Sequence, residues 1–211
     1  MYKLFTKIIL NRISSTLEGQ QPKEQAAFRK GYSTSDHLFV INQLLERCRE
    51  YKIPICLAFI DYEKAFDNVE VNAVLQALKD QGIHPAYVKL LQEANSNCTT
   101  DILLTPEINV SIPVEKGVKQ GDTISPKLFN ACLESTMRTM TLTGGINVNG
   151  ENLNHRRFAD DIVLIATTTT ELQQMIQEVE EKSKSVGLKL NRQKTKVLLS
   201  EHVPRGSDNN R

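Results

Sequence analysis

At 211 residues, with 40% hydrophobic and 24% charged side chains, the chain is long enough for one large globular domain or two small ones. Its 26 basic and 25 acidic residues leave a net charge of +1, which argues against a uniformly basic coat for nucleic acid, although separated patches can hide in a balanced total. Cys48, Cys56, Cys98 and Cys132 stand far apart with no CxxC pair, so neither a zinc site nor a dense disulfide framework is signalled, and they read as reduced core thiols.

The opening stretch MYKLFTKIILNRI places Leu4, Phe5, Ile8, Ile9, Ile13 and Leu17 at helical spacing up to Gly19. Lys3, Lys7 and Arg12 interrupt its apolar residues, so it is neither a signal-peptide core nor a membrane span. The expectation is an intracellular protein, nuclear or cytoplasmic, not secreted and with no membrane partner. Behind the capping cluster STSD, a second amphipathic helix carries Leu38, Ile41, Leu44, Leu45 and Cys48. Residues 53–61, IPICLAFID, form a continuous apolar run ending in a carboxylate, the pattern of a buried strand whose far end meets a site. Asn68 reads as the cap of a helix bearing Val71, Val74, Leu75 and Leu78 and closed near Gly82. His84-Pro85 opens another helix, through Leu91; TTDILLT and INVSIPV read as a strand pair. GVKQGDT is a glycine-rich loop before a helix with Ser125 at N-cap and Pro126 at N1. Asn149-Gly150 signals a hairpin, a helix is expected from about Thr170 to Val186, stopped by Gly187, and TKVLLS is a last strand before a polar tail, 201–211, expected to be disordered. This order suits an α+β fold: an antiparallel-containing sheet with helices packed on one face.

RRFADDIVLIA, 156–166, sets two adjacent carboxylates, Asp160 and Asp161, against an apparently buried strand. Burying an unpaired charge is costly. A hydrogen-bonded turn, a basic partner or a metal ion could each compensate, and a turn is the ordinary explanation of an Asp-Asp pair. If this strand neighbours the one ending at Asp61, however, the acids converge. Such a cluster suits Mg²⁺, which takes hard oxygen ligands while keeping waters and substrate phosphate in its octahedron. Two ions roughly 3.5–4 Å apart can activate a 3′-hydroxyl and steady a leaving pyrophosphate.

LAFIDYEKAFDNV (57–69), GVKQGDTISPKLFN (117–130), FADD (158–161) and GLKLNRQKTKVLLS (187–200), in that order, resemble the successive palm motifs of reverse transcriptases, and in particular those of non-LTR (LINE-like) retrotransposons. QAAFRKGYSTSDHL (25–38) resembles a fingers segment of the same enzymes. The resemblance implies a right-hand polymerase palm over 53–200, with a fingers-like stretch around 69–115, partial fingers over 1–52, no thumb, and flanking domains in a longer polyprotein. It implies an RNA-directed DNA polymerase that adds deoxynucleoside triphosphates to a DNA primer on an RNA template. Asp61, Asp160 and Asp161 would be the catalytic, metal-binding set for two Mg²⁺ ions, with Mn²⁺ as a substitute. Phe66 would exclude the ribose 2′-hydroxyl by bulk; Gln120 and Gly121 would approach the new base pair; Lys194 would meet the triphosphate. Phe158 and Ala159 would lie beside the primer end, while Arg29, Lys30, Arg156 and Arg157 would be primer or template phosphate contacts.

Two other readings compete. A Mg²⁺-dependent phosphoacceptor receiver domain also gathers an acidic pair, another Asp and a Lys, but its pair follows an N-terminal strand of a parallel sheet, whereas here the pair precedes IVLIA. A catalytically inactive palm-like remnant, binding nucleic acid or a partner, is the second.

Overall fold

The structure is a computed structural model and describes residues 2–96, 98–105 and 108–204. The chain gathers into two compact units, and it passes repeatedly from one to the other. One comprises the residues up to Gln21, then Lys64–Met137 and Ser185–Leu188; the other comprises Pro22–Glu63, Arg138–Lys184 and the described residues from Lys189 onward. None of the helices among the described residues is long and apolar enough to cross a membrane.

The first unit holds α1 (Tyr2–Gln20), α3 (Ala65–Asn68), α4 (Val71–Asp80), α5 (Pro85–Asn95), the hairpin of β2 (Thr99–Thr105) and β3 (Ile108–Pro113), and α6 (Ser125–Arg138). In α1, Ile9, Ile13 and Leu17 recur every four residues and are buried, as the sequence pattern demands. Asn68 is not a helix cap. It ends the short α3, and Glu70 takes the N-cap position of α4 without a side-chain bond. At α5, His84 does cap: its Nδ1 accepts from the Ala86 N–H at 3.2 Å, with Pro85 in the first turn. The helix continues past Leu91 to Asn95 because Gln92, Glu93 and Ala94 all favour helix. Ser125, expected as an N-cap, instead donates its hydroxyl to the Lys119 carbonyl at 2.7 Å, which folds the preceding loop back on itself.

Segment 66–70 is clasped from two directions. Gly117 N–H donates to Val69 O at 2.8 Å and Val118 N–H to Phe66 O at 2.7 Å, while Glu70 N–H donates to Val186 O at 2.9 Å. Both flanking loops come this near because Gly117 and Gly187 sit there, each with positive φ (86° and 82°). A β-carbon on Gly117 would lie 2.7 Å from Asp67 O, and one on Gly187 would lie 2.5 Å from Asn68 O.

The second unit is built on a four-stranded antiparallel sheet in the order β6 (His155–Phe158), β7 (Asp161–Ala166), β1 (Cys56–Ile60), β8 (Lys196–Leu199). This rules out the parallel sheet of a receiver domain. The apolar run at 156–166 is two strands rather than one, with Ala159-Asp160 as the connection. Ile55, Leu57 and Ile165 join Ile41, Leu44 and Cys48 of α2 (Thr34–Glu50) in a shared core, and α7 (Thr169–Lys184) lies against β1 and β7. α2 starts with a full capping box, Ser33 bonding Asp36 N–H while Asp36 bonds back to Ser33 N–H. β4 (Ile146–Val148) and β5 (Glu151–Leu153) turn at Asn149-Gly150, both with positive φ, as that dipeptide signals. At the sheet margins, β6 is flanked by an isolated parallel bridge from Gln25 to Arg157, whereas all four residues of β8 are exposed. In the expected tail, Val203 is buried, contrary to a disordered reading of 201–204; residues 205–211 lie outside the described residues.

The clasp separates two glycine substitutions. Gly82 has φ 80° but open space around it, so Gly82→Ala should lose only the about 1–2 kcal/mol of a left-handed L-residue. Gly117→Ala adds a backbone clash and should lose about 3 kcal/mol or more. Urea unfolding of the two variants checks this, and equal losses would contradict the clasp.

Candidate active site

The antiparallel register brings the acids together. Ile60 pairs with Ile162, so Asp61, one residue beyond, stands where β7 begins, and Phe158 pairs with Asp161 to leave Ala159 and Asp160 as the whole turn. Ala159 adopts φ 55°, a left-handed conformation uncommon for alanine. A loop after β1's partner elements wraps the other side of Asp61. Asn191 N–H donates to Asp61 O at 2.7 Å, and Asp61 N–H reaches Thr195 Oγ1 at 3.5 Å. Asn191 Oδ1 in turn accepts from the N–H groups of Gln193 and Lys194, each at 3.2 Å, forming an Asx turn that anchors the Lys194 backbone beside Asp61. Asn191 and Thr195 were not singled out from the sequence; the N-x-x-K spacing was the available signal.

Lys194 Nζ stands 3.9 Å from Asp61 Oδ1, too far for a hydrogen bond, and that oxygen is buried and accepts none. Burial first, then repulsion from Asp61, raises the Asp160 carboxyl above its ordinary range; a backbone hydrogen bond and Lys194 pull the other way. Asp161 is exposed as a residue, yet partial burial of its carboxyl, then Asp160 and Asp61, raise it as well. Next to Asp61, Tyr62 is buried, its hydroxyl 2.7 Å from Ser183 Oγ, and burial pushes its phenol up to about 12. It anchors the strand end and does not titrate near neutrality.

One lysine thus faces three carboxylates that repel one another, with a buried oxygen left without a hydrogen bond. No ready-made group of three or more metal-ligating side chains occurs among the described residues. The donor set still suits Mg²⁺, which binds through one or two carboxylates plus waters and substrate phosphates rather than through an all-protein cage.

Phe66, Gln120 and Gly121 belong to the other unit. Phe66 stacks on Phe129 with ring centroids 4.5 Å apart and planes 19° from parallel. Gln120 Nε2 donates to Asp67 Oδ1 at 2.6 Å, and Gly121, at φ 77°, has open space where a side chain would stand. Asp122, just beyond, is buried and accepts from Thr6 Oγ1 at 2.7 Å, which fixes the loop to α1.

The expected phosphate contacts divide. Lys30 is exposed. Arg157 is 2% exposed, so its guanidinium is an interior group and not an open phosphate contact. Arg156 stands 3.6 Å from Glu24, and Arg29 donates to the carbonyls of Pro22 and Gln25 while lying 4.1 Å over the Tyr32 ring. These two arginines are committed to the chain itself. Of the basic run at 189–196, Lys189 pairs with Glu63 and Arg192 with Glu180, and only Lys194 faces the acids. Phe158 lines an apolar cleft of about 300 Å³ with Leu38, Ile41 and Phe59.

An antiparallel sheet that gathers carboxylates at the meeting ends of two central strands has the architecture of a polymerase palm. Residues 1–207 match the family "Reverse transcriptase (RNA-dependent DNA polymerase)", and the chain belongs to that family. It is 27% identical over 204 residues to a retrovirus-related Pol polyprotein from the type-1 retrotransposable element R2 of Nasonia vitripennis, covering 97% of this chain and 20% of that protein. It is also 29% identical over 202 residues to an R2 Pol polyprotein of Popillia japonica, covering 92% of this chain and 28% of that one. The chain therefore spans between about a fifth and three-tenths of the length of these relatives. In fold it is similar to apo telomerase of Candida tropicalis truncated from its C-terminal domain, with a TM-score of 0.74 at 13% identity, over 96% of this chain and 41% of that one.

The raised Asp160 value has a stability consequence. The folded chain holds that proton more tightly than the unfolded chain, so this contribution favours folding below the ordinary value of 3.8 and is lost as pH rises through the raised value. Asp160→Asn should therefore raise Tm at pH 7, with the gain shrinking as pH falls through the raised value toward 3.8. Calorimetry of both proteins across this range tests the sign; a loss at pH 7 would show that the carboxylate is compensated in the free chain.

Proposed function

We propose that this chain carries the nucleotidyl-transfer centre of an RNA-directed DNA polymerase, adding deoxynucleotides to a primer 3′-hydroxyl on an RNA template. The observation that carries the reading is the convergence of Asp61 with Asp160 and Asp161 at the β1–β7 strand ends, with a buried Asp61 oxygen that accepts no hydrogen bond. Asp61 and Asp160 would hold Mg²⁺ (or Mn²⁺), with Asp161 completing the negative field. Two such ions supply activation of the 3′-hydroxyl and charge neutralisation at the leaving pyrophosphate.

The chain's own residues do the rest. Lys194, flexible and exposed beyond its anchored backbone, can swing from Asp61 toward a triphosphate and donate charge or a proton to the leaving group. Phe66 supplies bulk against a 2′-hydroxyl, and its stack on Phe129 holds the ring in one place, so selection is steric. Gly121 lets backbone approach a base pair, and Gln120, once released from Asp67, offers both a donor and an acceptor. Ala159 leaves room at the primer terminus, beside Phe158. Lys30 is the template-contact candidate whose exposure favours that role. The 1–52 stretch serves as part of the fingers and 53–200 as palm, and the long R2 relatives support a setting within a larger polyprotein.

Primer extension on an RNA template with Mg²⁺, by this chain alone and joined to flanking polyprotein sequence, tests the reading. Asp61→Asn or Asp160→Asn should abolish extension with folding retained, since an amide of the same size is a poor Mg²⁺ ligand. Undiminished extension by either variant would refute the assignment of these acids, whereas no extension by the native chain, alone or joined to flanking sequence, would favour the inactive, binding-only alternative.

Sugar choice gives a separate check. Phe66→Val should raise ribonucleotide relative to deoxynucleotide incorporation by roughly 10–200-fold, the range of packing-based selection. The ratio cancels any loss of folded protein from the missing Phe129 stack, and an unchanged ratio would return Phe66 to a packing role.

A further inference from the structure

The turn that presents Asp160 is short, strained and held by one side chain. Ala159 and Asp160 are the entire link between β6 and β7, and Ala159 carries φ 55°. Such a conformation is unfavourable for an L-residue and persists only where surrounding structure holds it. Gln25, 1% exposed and far away in sequence, bonds this turn from outside the hairpin. Its Oε1 accepts from the Ala159 N–H at 3.0 Å, and its Nε2 donates to the Ala159 carbonyl at 3.4 Å. Both polar backbone groups of the residue before Asp160 thus meet one amide, and the same Oε1 also accepts from the Ala27 N–H at 3.0 Å.

The amide is itself fixed. Ala26 N–H donates to Arg157 O at 3.1 Å and Arg157 N–H donates to Glu24 O at 2.8 Å, so residues 24–26 run alongside β6. Behind them, Arg29 Nη1 donates to Gln25 O at 2.9 Å and to Pro22 O at 2.5 Å. A rigid strip therefore extends from Arg29 through Gln25 to the peptide of Ala159. We infer that Gln25 is a positioning residue: by locking the Ala159 peptide it fixes the direction in which the Asp160 carboxylate leaves the turn, and with it the affinity of the Asp61–Asp160 pair for a divalent cation. The inference rests on the metal-dependent reading above. Chemistry, not volume, is what selects glutamine. Methionine matches the size but offers neither strong donor nor acceptor, and glutamate keeps the acceptor for two N–H groups while losing the donor.

Gln25→Met and Gln25→Glu, compared with the native chain at a temperature where circular dichroism shows all three folded, provide the test. Hydrogen exchange across 155–166 reads the turn, and electron paramagnetic resonance of added Mn²⁺ reads the cation site directly. For Gln25→Met, exchange at Ala159 should quicken about tenfold or more once its buried acceptor is gone. The Mn²⁺ dissociation constant should rise about tenfold or more, the scale set by residues that orient metal ligands. Gln25→Glu should keep more of the protection and more of the affinity than Gln25→Met. A side chain that merely fills the core would lower stability and leave Mn²⁺ affinity per folded molecule unchanged; that result for Gln25→Met overturns the inference, as does equal behaviour of the two variants. Absence of Mn²⁺ binding by the native chain, or binding undisturbed by Asp160→Asn, overturns the metal reading and the effect on affinity with it. Native-like exchange in Gln25→Met overturns the role in the turn independently of any metal.

Discussion

The pairing of β1 with β7 is the constraint from which the candidate site follows. Five consecutive residues of β1, Cys56 to Ile60, pair with Ala166 to Ile162, and every one of the pairs is apolar. Side chains alternate across a strand, so a slip of one residue would turn each buried group to the opposite face. Leu57 and Ile165, both inaccessible, would have to leave the core they share with α2. That hydrophobic cost fixes the register, and the register fixes where the acids fall. The carboxylates are thus brought together against their mutual repulsion by groups that never touch them. The raised titration of Asp160 and Asp161 registers the opposition: the sheet wins, and Lys194 is the cation left facing the acids.

What could be read from the sequence was what local chemistry specifies. The four-residue recurrence in α1, the Ser33–Asp36 capping box, the apolar run of β1 and the Asn149-Gly150 hairpin each depend on neighbours within a few positions, and each stands where expected. Asp61, Asp160 and Asp161 could be grouped because apolar strands pointed toward them. Less legible features all rest on distant partners. Nothing about Ala159 announces a turn, since alanine has no preference for positive φ, and its N–H is met by the distant Gln25. Asn68 has the chemistry of a cap, but the clasp of Gly117 and Gly187 on 66–70 ends one short helix there and delays the next to Val71. The arginines misled for a related reason. A guanidinium in a polar stretch reads as a phosphate contact until burial shows Arg157 inside and carbonyl acceptors claim Arg29.

The two units solve different physical problems. The sheet unit concentrates like charge and must restrain it, so its polar residues near the acids are locked: Tyr62 to Ser183, Asn191 to the Asp61 carbonyl. The helical unit presents Phe66, Gln120 and Gly121 with less restraint, on a stack and an exposed amide bond and beside open space. Rigidity suits groups that must hold an ion at fixed geometry. Under the proposed function, the adjustable contacts would fall to groups that meet each of several bases in turn.

The two margins of the sheet differ in how far their backbone is already engaged. Along β6 the backbone is already engaged by residues 24–26, which leaves little for another strand to bond. β8 is the other margin: Val197, Leu198 and Leu199 are all exposed there, with Lys196 at one end. A bare margin of this kind templates further strands, and shortness and a flanking lysine are two ordinary restraints on such growth. Among the described residues, the open margin of the sheet is therefore β8 and the engaged one β6, and the four residues of β8 are not among those that gather the acids.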